Sequence, residues 1–354
     1  MNIEEVLRQA VEQNASDVFL VAGLPLSYKI NGRIQEQAAD RLLPPDTEEL
    51  ITDIYQLADN RNMQQLLVHG DDDFSFSVVG LSRFRVSTYK QRGSLAAVIR
   101  VVYFDLPDYQ ALHIPDAVML AAKKTKGFVL VTGPAGSGKS TTLACIIDAI
   151  NNTRNAHVIT LEDPIEFLHR HKKSVVSQRE IATDTDSYAV ALRAALRQSP
   201  DVILLGEMRD YETIKTAMTA AETGHLVIST LHTLGAANTI DRIIDNFPPS
   251  QQQQIRVQLS MVLQAVISQQ LVPAADGTVV PAFEIMYPNN AIRNMIRESK
   301  IHQIDTVIYS SADEGMVAMD TSLLKLYKEG MITAETAVTY STNPDAMQKK
   351  MALR

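Results

Sequence analysis

The segment Gly133-Pro134-Ala135-Gly136-Ser137-Gly138-Lys139-Ser140 follows the apolar run FVLVTG and precedes TTLACIIDAI, a stretch that suits a helix. A glycine-rich loop between a strand and a helix is built to wrap phosphates, because glycine lets successive N–H groups turn toward one anion. The helix start adds the positive end of its dipole. Lys139 reaches the β- and γ-phosphates of a nucleotide, and the Ser140 hydroxyl suits magnesium. The expectation is an ATP site over residues 133–141, Thr141 included, with Mg2+ as companion. The alternative is a glycine-rich turn that binds nothing, but strand, glycines, Lys and Ser all stand in register.

The chain around this loop reads as α/β. Apolar strands (FVLVTG, HVITLED, DVILLGE, HLVIST) alternate with helical segments at 139–152, 186–198 and 210–222. That alternation predicts crossover units and a parallel sheet with both faces covered. Beyond about residue 235 the pattern reads as mostly helical. Ser250 is the expected cap of QQQQIRVQLSMVLQAVISQQL, whose Ile255, Leu259, Val262, Leu263 and Val266 recur at helix spacing.

A magnesium nucleotide site needs acids at the ends of neighbouring strands, where open parallel sheets receive ligands. HVITLED ends in Glu162 and Asp163, and DVILLGE ends in Glu207. Glu207 is placed to orient and deprotonate an attacking water. An Asp usually closes such an apolar run, but Gly206 stands there. The metal expectation is therefore Ser140 with waters, Glu162 and Glu207 lying behind them. The competing reading makes Asp163 and Glu207 helix N-caps. His225 opens and His232 closes the GHLVISTLH strand. Each reads either as a satisfied histidine or as a sensor of the γ-phosphate.

Residues before the loop have another grammar. Ile3, Val6, Leu7, Ala10 and Val11 share one helical face, and SDVFLVAG and SYKINGRI read as strands around an Asn31-Gly32 hairpin signal. A helix capped by Asp46 is expected over 46–68, then three strands, FSFSVV, SRFRVSTYKQ and LAAVIRVV. This makes a small α+β domain over 1–100, a Pro-containing linker over 101–116, an ATPase core over 117–290 and C-terminal helices over 291–354.

Bulk properties narrow the class. With 354 residues, two domains can each bury a core. A net charge of −8 speaks against a chain whose main work is coating nucleic acid. MNIEEVLRQAVEQ has no apolar signal region, and no apolar run approaches a membrane span. The single cysteine, Cys145, excludes an internal disulfide framework and reads as a small buried hydrophobe. The expected location is cytoplasmic.

GPAGSGKSTTLA, ITLEDPIEF, QREI, ALRAALRQSPDVILLGEMRDYETI, TAAETGHLVISTLHT and DRIIDNFP together closely resemble the secretion ATPase superfamily of type IV pilus and type II secretion motors. Assembly-type members carry a longer N-terminal region and a four-cysteine zinc motif, whereas this chain has one cysteine. AIRNMIRESKIHQI is similar to the retraction branch. As a bare helix, its Ile292, Met295 and Ile296 form an apolar edge and Arg293, Arg297 and Glu298 a solvated one.

The resemblance implies a RecA-like core preceded by a PAS-like domain, and a homohexameric ring whose ATP-driven domain rotation retracts pili in twitching motility. It implies an inner-membrane platform protein as partner, pilin as an indirect one, and a place at the inner face of the cytoplasmic membrane. It assigns Lys139 and Ser140 to the Walker A pair, Glu162 and Asp163 to the Asp box, Glu207 to catalysis, and His225 with His232 to the His box. It makes Arg83, Arg85 and Arg92 the arginines that the first domain supplies to the nucleotide; read from the strand alone, Arg83 and Arg85 simply share a solvent face. Phe19 stands where the family's opening motif has a histidine, so that histidine's role is missing here. A nucleotide-gated accessory subunit and a DNA translocase are the other classes considered.

Overall fold

The computed structural model describes residues 2–30, 32–102, 106 and 108–352. Two compact units divide near residue 105. Parts of the expected linker, residues 103–105 and 107, lie outside the described residues, as does Asn31 of the hairpin signal.

In the first unit, α1 (Ile3–Glu12) buries Ile3, Val6, Leu7 and Ala10, the face that its periodicity predicts. Six antiparallel strands follow: β1 (Asp17–Leu20), β2 (Pro25–Ile30), β3 (Arg33–Arg41), β4 (Asp71–Val78), β5 (Ser82–Gln91) and β6 (Ser94–Val102). Their order is β3-β2-β1-β6-β5-β4. Val18, Tyr28, Ile99, Val86 and Phe74 line one face in register and join the core with α1 and α2 (Pro44–Leu57). The expected 46–68 helix is two helices. Pro44 and Pro45 start α2 because its first turn needs no N–H donors, and Asp46 accepts from the Leu43 N–H at 2.7 Å inside the helix rather than capping it. Asp59 and Asn60 then take positive φ, ending the helical path before α3 (Gln64–His69) begins.

The second unit starts with α4 (Asp116–Met119) and β7 (Gly127–Thr132). It continues through α5 (Lys139–Thr153), β8 (His157–Glu162), β9 (Val175–Glu180), α6 (Tyr188–Ala195), β10 (Val202–Leu205), α7 (Tyr211–Glu222), β11 (Leu226–Leu231), α8 (Ala236–Asp245), α9 (Pro249–Val262), β12 (Leu263–Pro273) and β13 (Val279–Met286). Five further helices close it: α10 (Asn290–Arg297), α11 (Ile304–Ser310), α12 (Met319–Lys328), α13 (Ala334–Thr339) and α14 (Pro344–Ala352).

The sheet order is β13-β12-β7-β11-β10-β8-β9, parallel except for the β12–β13 edge. Alternate residues feed two separate cores: Phe128, Leu130, Ile159, Ile203 and Val227 on one side, Val129, Val131, Val158, Val202 and Leu226 on the other. A strand buried on both faces is therefore apolar throughout.

This corrects the helical reading beyond 235. The run starting at Gln251 is a helix only to Val262, begun by Pro249 rather than capped by Ser250. Leu263 to Pro273 is a strand seated between β7 and β13, so Val266 packs in a sheet. The strand's buried Ser268, Gln269 and Gln270 break the alternation that a half-exposed strand would show, so the pattern does not separate strand from helix.

Candidate active site

The loop after β7 curls tightly enough to exclude side chains at two points. A Cβ on Gly133 would lie 2.0 Å from the Gln269 carbonyl oxygen, and one on Gly138 would lie 2.8 Å from Gln269 Nε2. Gln269, from β12, also accepts a hydrogen bond from Thr142 Oγ1 at 2.7 Å. Backbone and side chain of one buried glutamine thus lie against the loop near both its ends. Lys139 Nζ folds back to donate to the carbonyls of Gly133 and Pro134 at 3.0 and 2.9 Å. The Ser137 hydroxyl is buried and has no hydrogen-bond partner among the described residues. An orphaned donor inside a glycine cradle fits an anion. Ser140 and Thr141 lie half-buried in the first turn of α5, while Pro134, Ala135 and Gly136 form the exposed rim. Cys145 is buried in α5, its thiol pushed up to about 11 by burial, as a core residue's would be.

The acids gather at the carboxyl ends of β8 and β10. Glu162 Oε1 accepts from Thr160 Oγ1 at 2.5 Å and from Gln178 Nε2 at 3.2 Å. Gln178 is oriented in turn by the His169 N–H, which donates to its Oε1 at 2.8 Å. Pairing of Leu161 with Leu205, and the Gly206 N–H donating to the Leu161 carbonyl at 2.8 Å, set the end of β10 that carries Glu207 next to the end of β8 that carries Glu162. Glu207 faces Arg209 Nε at 2.6 Å and His232 Nε2 at 3.6 Å.

The N-cap alternatives do not hold. Asp210, not Glu207, caps α7 by accepting from Thr213. No helix follows Asp163 before β9. Burial first, then the charges of Glu207, Asp163 and Glu162, push the Tyr188 phenol upward, so it remains protonated.

The two histidines do not meet. His232 stands at the carboxyl end of β11 beside Glu207, whereas His225 precedes the strand. Its Nδ1 lies 3.0 Å from the Ala220 carbonyl and 3.2 Å from Thr223 Oγ1. Six strand residues separate the two, roughly 20 Å of rise. Arg83, Arg85 and Arg92 belong to the first unit. Arg83 and Arg85 project from the non-core face of β5, where Arg85 pairs in register with Arg100 of β6. Arg92 occupies the two-residue β5–β6 turn with φ of 48°. In α10, Ile292 and Ile296 are buried as expected, but Arg293 is not a solvated edge: its guanidinium donates to the Ser260 and Met261 carbonyls ending α9.

Arg209, Gln178, Gln269 and Tyr188 were not singled out from sequence. Arg209 and Gln178 lie inside quoted motifs, and their position beside a strand-end acid was the available signal. Gln269 had none, lying in a stretch that reads as helix. Among the described residues no helix is long and apolar enough to cross a membrane, and no group of three His, Cys, Asp or Glu is placed to hold a metal.

Residues 1–335 match the model of the Type II/IV secretion system protein family. The chain is 44% identical to the type IV pilus retractation ATPase PilT of Pseudomonas aeruginosa, covering 95% of this chain and 97% of that one. It is 42% identical to the twitching motility protein of Neisseria gonorrhoeae, over 98% and 92%. It also superimposes on the crystal structure of the pilus retraction motor PilT with bound ADP, with a TM-score of 0.88, 48% identity and 99% of each chain covered. With a nucleotide-type loop, acids at the neighbouring strand ends and a match over nearly its whole length, this chain belongs to the Type II/IV secretion system protein family.

Proposed function

We propose that this chain hydrolyses ATP to power type IV pilus retraction, working as a homohexamer on the cytoplasmic side of the membrane. One observation carries the reading. The phosphate loop, Glu162, Glu207 and His232 stand at the same ends of four parallel strands, β7, β8, β10 and β11. Similarity to a retraction ATPase and a twitching motility protein supports the cellular role. The partners that role requires are an inner-membrane platform protein and, through it, pilin.

Residues 133–141 hold the phosphates through backbone N–H groups and Lys139, whose Nζ trades two loop carbonyls for phosphate oxygens. Glu207 positions and deprotonates the attacking water. Arg209 holds Glu207 beside His232 and yields it when nucleotide arrives. Ser140, with Glu162 and Glu207 behind it, offers the oxygen donors that suit Mg2+, which when bound neutralises charge building on the phosphates. Arg83, Arg85 and Arg92 have the task of supplying guanidinium charge to the nucleotide, for which a planar, permanently charged fork is suited. His225 is assigned no contact with nucleotide.

The test is phosphate release by purified protein. Glu207→Gln should bind ATP as the wild type does and turn it over far more slowly; wild-type turnover would remove Glu207 from the role of base. In cells, Lys139→Ala should reproduce gene deletion, with surplus pili that do not retract. Normal retraction in that variant would end the motor reading.

A further inference from the structure

Thr132, Ser268 and Glu284 form one rung across β7, β12 and β13, since Thr132 pairs with Ser268 and Ser268 with Glu284. The preceding rung on the same face is Leu130, Val266 and Met286, all in the apolar core. Three polar residues, each buried, thus follow three apolar ones in a sheet whose faces are covered. A buried carboxylate costs free energy that an apolar side chain there would not. The use of the row lies in what it holds.

It holds the turn from β11 into α8. Ser268 Oγ accepts from the Gly235 N–H at 2.8 Å, and Glu284 Oε1 accepts from the Ala236 N–H at 2.7 Å. Thr239 Oγ1 bonds to Thr233 Oγ1 and to the Gly235 carbonyl, each at 2.7 Å, and stands 3.5 Å from Thr132 Oγ1. Gly235 has φ of 89° and ψ of 145°, a conformation that glycine takes far more readily than other residues. Two successive N–H groups are therefore pinned at a bend, one by each arm of the β12–β13 hairpin. Burial pushes the Glu284 carboxyl upward, and the N–H groups of Ala236 and Met319, which open α8 and α12, draw it back.

His232 lies in the same turn, three residues before Gly235, and faces Glu207 at 3.6 Å. The other end of the rung meets the glycine-rich loop: Gly133 follows Thr132 directly, and its N–H donates to the Leu231 carbonyl at 3.2 Å. We propose that Ser268 and Glu284 are positioning residues for hydrolysis, holding the Gly235 and Ala236 N–H groups and so fixing the turn that aims His232 at Glu207. The inference rests on the proposed ATPase reading and gives that site a support behind His232.

The test is a kinetic cycle on the full chain. Ser268→Ala and Glu284→Met each take an acceptor from the turn, and each should lower kcat about five- to tenfold while KM moves less than about twofold. Glu284→Gln, which keeps an acceptor oxygen, should recover most of the rate. In a His232→Ala background, Ser268→Ala and Glu284→Met should lower kcat by less than about twofold, because the group they aim is gone. Equal fold losses in both backgrounds mark a packing role alone and overturn the proposal. Wild-type kcat in both single variants overturns it, and so does wild-type turnover by His232→Ala. If Glu284→Met does not fold, Ser268→Ala carries the cycle, since it removes a single oxygen. Glu207→Gln separates the two readings. If that variant hydrolyses normally, the ATPase assignment fails; if it is inactive while the cycle is additive, only the role of Ser268 and Glu284 fails.

Discussion

The two sheets of this chain differ in how many of their faces are covered, and that decides where each can place chemistry. Sheet β3-β2-β1-β6-β5-β4 has a core on one face, leaving Arg83, Arg85 and Arg100 on the other. The second sheet sends alternate residues into two cores, so no polar side chain can leave the middle of a strand cheaply. Its polar candidates stand at the strand ends: Glu162, Glu207, His232 and the glycine-rich loop. A half-covered sheet presents a surface, whereas a fully covered one presents an edge.

The largest effect expected from that contrast is at the edge. Glu207→Gln should reduce kcat by about 10²- to 10⁴-fold in steady-state assays with ATP affinity retained. Phe128→Ala, fully buried in β7, should cost roughly 3–5 kcal/mol of unfolding free energy by denaturant titration. A cost under about 1 kcal/mol would mean that the strand is not enclosed as described.

A pH effect of comparable size is expected from His169, whose burial lowers it from 6.5 to about 4. Below pH 6.5 the unfolded chain takes up a proton that the folded chain refuses until about pH 4. Acidification through that window should therefore remove stability, on the order of 3 kcal/mol, and His169→Phe should flatten the slope in melting curves across the window.

The open face should respond differently. Arg85→Ala should change stability by no more than about 0.5 kcal/mol. Its expected effect is loss of cooperative ATP hydrolysis, and unchanged kinetics would return Arg85 to a solvated surface residue. The smallest effect is assigned to His225→Ala, with turnover within about twofold of wild type, while His232→Ala should lower kcat by more. Equal losses would erase the distinction between the two ends of β11.

Local signals account for the elements that were legible. Strands β7, β8, β10 and β11 are short apolar runs broken by helix-periodic segments, and the strand–loop–helix turn between β7 and α5 announces itself through its glycines, Lys139 and Ser140. Cys145 and the apolar face of α1 were readable for the same reason. Where two states share a pattern, sequence stopped short. Leu263 to Pro273 mixes apolar residues with Gln and Ser in no clear period, and only its seat beside β7 makes it β12. The break between α2 and α3 rests on the φ values of Asp59 and Asn60, which composition does not specify.

By itself the sequence determined the glycine-rich loop between β7 and α5, the order of most strands and helices, and the acids that terminate β8 and β10. These depend on spacing along a few residues, and local propensity and periodicity report them directly. Only the tertiary structure decided that Gln269 accepts a hydrogen bond from Thr142 of α5, 127 residues before it, that His225 and His232 stand at opposite ends of one strand, and that a tyrosine hydroxyl stands close beside Gly206. Each is a meeting of side chains brought together by packing, and the distance along the chain carries no record of it.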